Sequence, residues 1–166
     1  GDEILLFSPI YYSFFNTIKN NGRVAKEIPL KIVEGQYEVD FNELDKNLSG
    51  KERIIIFCSP HNPGGKIWST ETLTTLAEFC RNNKILIFMD EIHHDLTYPD
   101  KPHTTFLKAV PEAEEISLIF TAATKTFNIA GCHTGTTIIP NPKLRSIYDK
   151  EHAAFGKTPN RFGMIM

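Results

Sequence analysis

Residues 54–65 read IIIFCSPHNPGG, an unbroken apolar run that ends in a loop rich in proline and glycine. Such a run of β-branched and aromatic residues is typical of a strand covered on both faces of a sheet. The segment Thr70–Asn82 follows with a helical spacing of apolar residues, and Ser69 precedes it as a candidate N-cap. A second apolar run, Ile85–Met89, comes next. This order predicts a strand–helix–strand unit with parallel strands.

The same alternation extends through the rest of the chain. Further strands are predicted at Ile4–Phe7, Arg23–Leu30, Ser117–Phe120 and Thr134–Ile139, and further helices at Tyr12–Asn20, Phe41–Leu48 and Pro142–Ala154, with Asp40 and Asn141 as N-caps. The predicted fold class is therefore α/β, with three layers (α/β/α) around a mostly parallel sheet. The strand at 134–139 follows its predecessor after too few residues for a helical crossover, so we expect it to be antiparallel.

The composition excludes several classes of function. The 166 residues include 18 Lys and Arg against 20 Asp and Glu, a net charge of −2, which argues against nucleic acid or an anionic membrane as partner. No apolar run approaches the ~20 residues of a membrane span. Cys58, Cys80 and Cys132 lie in apolar surroundings and are expected to be reduced thiols, which indicates a cytoplasmic protein.

Polar side chains follow three of the predicted strands. Asn62 comes after the first, Asp90 and His93 after the second, and Lys125 after the third. Alone, a loop asparagine is usually part of a turn and a lysine is usually a surface charge. However, ligands of open parallel sheets bind beyond the carboxyl ends of the strands. We therefore expect these four residues to converge on one crevice, with Lys125 at a buried strand end.

The histidines do not predict a metal site. The spacing of His61, His93, His94 and His103 matches no common set of ligands, and no cysteine joins them. His94, His103 and His152 are instead expected to be partly exposed structural residues.

Three motifs together carry a family resemblance: SPHNPGG at 59–65, DEIH at 90–93 and TKTFNIAG at 124–131. The chain resembles fold-type I enzymes that use pyridoxal 5'-phosphate (PLP), within them the class I/II aminotransferase superfamily, and most closely its MalY/PatB cystathionine β-lyase branch. The resemblance covers essentially all of residues 1–166. It implies the central part of a PLP-binding large domain, with the N-terminal segment and the C-terminal small domain absent and the fragment itself inactive.

The resemblance also implies roles for the strand-end residues. Lys125 matches the lysine that forms an imine with the aldehyde of PLP, and Asp90 matches the carboxylate that pairs with its pyridine nitrogen. Asn62 matches the residue that hydrogen-bonds the 3-oxygen of the ring. His93 stands where many aminotransferases have a tyrosine, and this histidine is typical of the β-lyase branch. Asn62-Pro63 is expected to be a cis peptide, which is frequent there in the family.

Three further positions match residues that surround the cofactor in the family. Tyr11 matches the aromatic that stacks on the ring, and Thr121 and Thr124 match hydroxyls that contact the phosphate. The chain departs from the family pattern at His133, where many aminotransferases have a phosphate-binding arginine.

The leading functional hypothesis is a PLP-dependent carbon–sulfur β-lyase. Such an enzyme would convert cystathionine or a cysteine conjugate to pyruvate, ammonia and a thiol. Two alternatives remain: a class I/II aminotransferase, and a regulatory protein built on the same scaffold. The resemblance implies a small amino-acid substrate and a homodimer in the full-length protein, so the fragment should expose apolar residues that the dimer would cover.

Overall fold

The computed structural model of the protein describes residues 1–156 together with Asn160 and Gly163. Residues 157–159, 161–162 and 164–166, at the end of the predicted domain range 1–166, lie outside the described residues. The strands of the described part are β1 (Glu3–Ser8), β2 (Val24–Pro29), β3 (Lys31–Val33), β4 (Gln36–Glu38), β5 (Glu52–Cys58), β6 (Leu86–Asp90), β7 (Ser117–Thr121) and β8 (Thr136–Ile138).

The helices of the same part are α1 (Ser13–Asn20), α2 (Phe41–Lys46), α3 (Thr70–Asn83), α4 (Phe106–Ala109), α5 (Ala123–Thr126) and α6 (Pro142–Ala154). Two 3-10 helices, Pro111–Glu115 and Ala130–Cys132, lie between them. Among the residues described, no helix has both the length and the apolar character that crossing a membrane requires.

Six of the strands form one sheet in the order β2-β1-β5-β6-β7-β8. Each neighbouring pair from β2 to β7 is parallel, and β8 runs antiparallel to β7. The mostly parallel sheet with one antiparallel strand is thereby confirmed. The hairpin of β3 and β4, which the sequence did not predict, stands outside this sheet.

Helices cover both faces of the sheet, which confirms the predicted three layers. The apolar stripe of α3 is buried in the main core against inward-facing residues of β5 and β6, and its members are Leu73, Leu76, Ala77 and Cys80. On the opposite face, α1 packs Ile18 against Ile4 and Leu6 of β1. Removing these apolar side chains from water is what holds the helices to the sheet.

Three helices begin at the residues that the sequence predicted as N-caps. The Ser69 hydroxyl accepts the N–H of Thr72 at 3.1 Å and starts α3. Asp40 and Asn141 accept backbone N–H groups at the starts of α2 and α6 in the same way. Each cap supplies a partner to N–H groups that have none within the helix.

At the amino-terminal ends of the parallel strands, the buried Glu52 forms an ion pair with the partly exposed Lys26. Glu52 is 3% exposed, and its Oε1 lies 2.6 Å from Lys26 Nζ. The backbone N–H groups of Ser49 and Gly50 donate to the same carboxylate at 2.8 and 2.9 Å. Burial by itself would raise the pKa of Glu52, but the hydrogen bonds from Lys26 and Ser49 outweigh it and lower the pKa to about 2.

Candidate active site

The loop after β5 forms one wall of a cavity at the strand ends. Asn62 and His93 both line this cavity, whose volume is about 710 Å³. The loop is folded back tightly: the N–H of His61 donates to the carbonyl of Lys66 at 2.7 Å, and the N–H of Gly65 donates to the carbonyl of His61 at 2.7 Å. The predicted cis peptide Asn62-Pro63 is confirmed.

Gly64 allows this loop to pack closely against the side chains of His61 and Tyr37. A Cβ at position 64 would lie 2.6 Å from His61 Nδ1 and 2.7 Å from the ring of Tyr37. Both distances are shorter than a van der Waals contact allows, so a larger residue would force the loop to move. The shape of the loop that carries Asn62 therefore depends on a residue without a side chain at position 64.

Asp90 ends β6 with each of its carboxylate oxygens engaged by a donor. The N–H of Ile92 donates to Oδ1 at 3.1 Å, and the thiol of Cys58 donates to Oδ2 at 3.4 Å. Burial raises the pKa of Asp90, whereas these two donors and the nearby His93 and Lys125 oppose the rise. The carboxylate is thus half-buried, hydrogen-bonded and close to two basic groups.

The charges of Asp90 and Lys125 have opposite effects on His93. Burial lowers the pKa of His93, the charge of Asp90 opposes this, and the charge of Lys125 adds to it. With a pKa below its ordinary value the imidazole is neutral at pH 7, so that it can both donate and accept a hydrogen bond in the cavity. Asn62 and His93 thus share one cavity, and Asp90 and Lys125 act on His93 electrostatically, while the convergence of all four residues on one crevice stays a prediction.

The expected burial of Lys125 is wrong for the described chain. Lys125 lies on α5, a single helical turn that packs against the 3-10 helix Ala130–Cys132, and it is exposed. A polar residue that follows a buried strand can itself be exposed, because the turn at the end of the strand can lie at the edge of the sheet.

Asp90 and Lys125 do not line the 710 Å³ cavity, and neither do the other three predicted residues. Tyr11 is 41% exposed, with its ring centroid 5.7 Å from that of Phe14. Thr121 directs its hydroxyl to His94 Nδ1 at 3.1 Å and lines a separate cavity of about 200 Å³. Thr124 lines a third cavity, of about 430 Å³, beside α5.

Two residues that support this site were missed by the sequence analysis. The sequence indicates only a core thiol at Cys58 and gives no role to Glu91. Glu91 is 3% exposed, and its Oε1 contacts His103 Nε2 at 3.0 Å and accepts the N–H of Phe106 at 2.7 Å. The available signal was their position: Cys58 is the last residue of one strand, and Glu91 directly follows the next.

The histidines behave differently from one another. His152 is exposed and His94 is half-buried, but the His103 side chain is only 2% exposed, so its expected exposure is corrected by its contact with Glu91. Within residues 1–156, Asn160 and Gly163, no three His, Cys, Asp or Glu side chains are arranged to hold a metal ion.

The strand-end residues fit a pyridine aldehyde carrying a ring hydroxyl. An amine can bind the aldehyde, a hydrogen-bonded carboxylate can pair with a protonated ring nitrogen, and an amide with a neutral imidazole can bind the ring oxygen. These groups are Lys125, Asp90, Asn62 and His93 in that order. The strand ends therefore carry the chemical groups that PLP needs.

Comparison with known proteins gives the family. Residues 1–155 match the family model of aminotransferase class I and II. The chain is 37% identical to cystathionine β-lyase PatB of Bacillus subtilis over 147 residues, which cover 88% of this chain and 38% of PatB. It is 29% identical to a probable kynurenine–oxoglutarate transaminase of Saccharomyces cerevisiae over 161 residues, covering 92% of this chain and 36% of that protein.

The crystal structure of cystalysin from Treponema denticola, which contains PLP, matches with a TM-score of 0.92 at 35% identity, over 98% of this chain and 42% of cystalysin. Fold and strand-end groups thus define an α/β domain of the PLP-dependent transferase type. The chain belongs to the aminotransferase class I and II family, as the motifs predicted. It spans about two fifths of the length of these relatives.

Proposed function

We propose that this chain is the cofactor-binding part of a PLP-dependent carbon–sulfur β-lyase. The substrate would be a cysteine thioether such as cystathionine, and the products would be pyruvate, ammonia and a thiol. The proposal rests on PLP as cofactor, which the family and the PLP-containing structural neighbours support.

Each strand-end residue has a task in this reaction. Lys125 would hold the aldehyde carbon of PLP and, once freed by the substrate amine, take the proton from the α-carbon of the substrate. Asp90 would keep the ring nitrogen protonated, and Asn62 with His93 would orient the ring through its oxygen. When bound, PLP supplies an electron-accepting ring that stabilises the negative charge left on the α-carbon.

The observation that carries the proposal is His93. Its imidazole lines the same cavity as Asn62, and burial keeps it neutral. Many aminotransferases have a tyrosine at this place, whereas the β-lyase branch has a histidine. The 37% identity to a cystathionine β-lyase supports the same choice.

Product analysis of the full-length protein tests the reaction. We expect pyruvate and thiol from L-cystathionine without any added keto acid, and no such products from Lys125→Ala. Lys150→Ala, a change of an exposed lysine on α6, is the matched control and should keep full activity. Borohydride reduction followed by peptide mass spectrometry should locate the pyridoxyl group on Lys125, and its attachment to another lysine would overturn the assignment.

The second candidate is a class I/II aminotransferase. The 29% identity to a probable kynurenine–oxoglutarate transaminase over 92% of the chain supports this activity. The same four groups could serve both reactions, so they do not exclude it. Amino-group transfer that depends strictly on an added keto acid, without release of thiol, would identify this activity instead.

We further propose that the full-length protein is a cytoplasmic homodimer. Large apolar residues are exposed in the described chain, including Tyr12, Tyr98, Phe127 and Phe155. A dimer interface would cover side chains of this kind. Cys58, Cys80 and Cys132 are free thiols, in keeping with a reducing compartment. Light scattering of the full-length protein tests the assembly, and a monomer would contradict it.

A further inference from the structure

The backbone at Cys58 is held in place by the neighbouring strand and by a hydrogen bond from the Trp68 side chain. Cys58 and Asp90 are partners in the parallel register of β5 and β6. The N–H of Ser59 donates to the carbonyl of Asp90 at 2.9 Å, and Trp68 Nε1 donates to the carbonyl of Cys58 at 2.8 Å. The position of the sulfur relative to the carboxylate is therefore set by the sheet and not by a flexible loop.

The thiol is buried and is a hydrogen-bond donor. Cys58 is 3% exposed, and its Sγ lies 3.4 Å from Asp90 Oδ2. Burial, and then the negative charge of Asp90, raise the pKa of Cys58 well above its usual range. The sulfur therefore keeps its proton at neutral pH, while the backbone of Asn62 approaches the same sulfur. One thiol thus lies between two residues of the candidate site.

Cys80 shows what a cysteine of the ordinary core looks like in this protein. Its side chain belongs to the apolar stripe of α3 and is fully buried in the main hydrophobic cluster, and burial alone raises its pKa to about 12. Cys58 differs because a carboxylate faces it. The two cysteines therefore form a matched pair, one next to Asp90 and one in apolar surroundings.

We propose that Cys58 is a positioning residue that acts through Asp90. Its S–H holds the carboxylate ionised and fixed at the end of β6, where it can pair with a protonated ring nitrogen. The part that concerns the cofactor rests on the proposed function. Within the part of the chain that the structure describes, the charged or titratable groups that act on Asp90 are the thiol itself from β5, His93 from the loop after β6, and Lys125 from α5.

The first experiment needs no cofactor. The carboxyl of Asp90 is titrated by carbon-13 NMR in the cofactor-free full-length protein, in which Asp90 is assigned by its loss in Asp90→Asn. Cys58→Ala should raise the proton affinity of Asp90 by about 5-fold or more, because the ionised carboxylate loses a hydrogen bond. Cys58→Ser, which keeps a donor, should restore most of the original value, and Cys80→Ala should leave it unchanged. Equal titration of Asp90 in Cys58→Ala and wild type would overturn the proposal.

A reciprocal measurement covers the case in which Cys58→Ala does not fold. Asp90→Asn retains the thiol but replaces the ionised acceptor with a neutral amide, so the S–H stretch of Cys58 in the infrared spectrum should move to higher frequency as the hydrogen bond weakens. An unchanged S–H stretch in a folded Asp90→Asn protein would also overturn the proposal.

The second experiment adds PLP and separates this proposal from the proposed function. Cys58→Ala should move the pH midpoint of the visible absorption of the bound cofactor, and Cys58→Ser should move it less. If PLP does not bind the wild type at all, the proposed function fails and the cofactor part of this proposal fails with it. If PLP binds normally and the midpoint is the same in Cys58→Ala, the role of Cys58 fails and the proposed function stands.

Discussion

Thr121 directs its hydroxyl to His94 Nδ1, 3.1 Å away, on the sheet face opposite to that of Asp90. The register explains this, because Asp90 pairs with Phe120 and successive side chains of a strand point to opposite faces. Thr124, three residues on, has left the strand and lies beside α5. The hydroxyls of Thr121 and Thr124 therefore cannot contact a bound cofactor in the same way.

A pair of threonine variants checks this difference. Thr124→Val should lower the affinity for PLP by about 10- to 100-fold, because a hydroxyl that hydrogen-bonds a charged phosphate contributes roughly 1.5–3 kcal/mol. Thr121→Val should change the affinity by less than about 2-fold. Equilibrium titration of cofactor-free protein with PLP measures both values. A larger loss in Thr121→Val than in Thr124→Val would reverse our interpretation.

The pair of Glu52 and Lys26 predicts a specific dependence of stability on pH. The folded pKa of Glu52 is about 2, below its usual 4.5, so the ionised carboxylate stabilises the fold above pH 4.5 and this contribution disappears as the pH falls to 2. Glu52→Gln should lower the free energy of unfolding by about 2–3 kcal/mol at pH 7, and by progressively less below pH 4.5.

Urea unfolding at several pH values measures this effect. Glu27→Gln, on the neighbouring strand β2, is the matched control because Glu27 is exposed, and it should change stability by less than about 0.5 kcal/mol. A difference between wild type and Glu52→Gln that stays constant from pH 7 to pH 2 would show that the ionised state of Glu52 is not what stabilises the fold.

Much of this fold could be predicted from the sequence, because long apolar runs and good caps agree with each other. The strands at β5 and β6 and the helix that begins after Ser69 are examples. The hairpin of β3 and β4 could not be predicted in this way, since its strands have three residues each. Its turn uses Glu34 and Gly35, both with positive φ, and Glu-Gly is not a usual turn signal.

The strand-end position of the candidate residues was predictable, but their geometry was not. Asn62, Asp90 and His93 lie on or just after the ends of parallel strands, because the alternation of strands and helices fixes such positions. Periodicity has no information on how exposed a one-turn helix will be, so the exposure of Lys125 could not be foreseen. The same holds for the long-range contact between Glu91 and Phe106, which depends on the path of a loop.

Gly64 gives a prediction about loop shape. Gly64→Ala should lower stability by about 1–3 kcal/mol through overpacking against His61 and Tyr37, and it should weaken PLP binding because Asn62 is displaced. Gly131→Ala is the control, because a Cβ there would meet nothing within 4 Å. Thermal unfolding and PLP titration measure the two effects, and normal values for both in Gly64→Ala would refute the prediction.

Glu91 gives a prediction about the segment that follows His93. Glu91→Ala leaves the N–H of Phe106 and the ring of His103 without their shared acceptor, so residues 94–106 should exchange amide hydrogens roughly 10-fold faster. Exchange in α3 should stay as in the wild type. Hydrogen exchange with mass spectrometry resolves the two segments, and a uniform change across both would indicate global destabilisation instead.

The strand-end position of the polar residues has a consequence for how the site and the sheet can vary. The residues of the candidate site stand on or just after the last rungs of β5, β6 and β7, whereas the apolar residues that hold the sheet lie within those strands. A substitution at a position such as His93 therefore changes the groups offered to a ligand without removing an apolar side chain from the core.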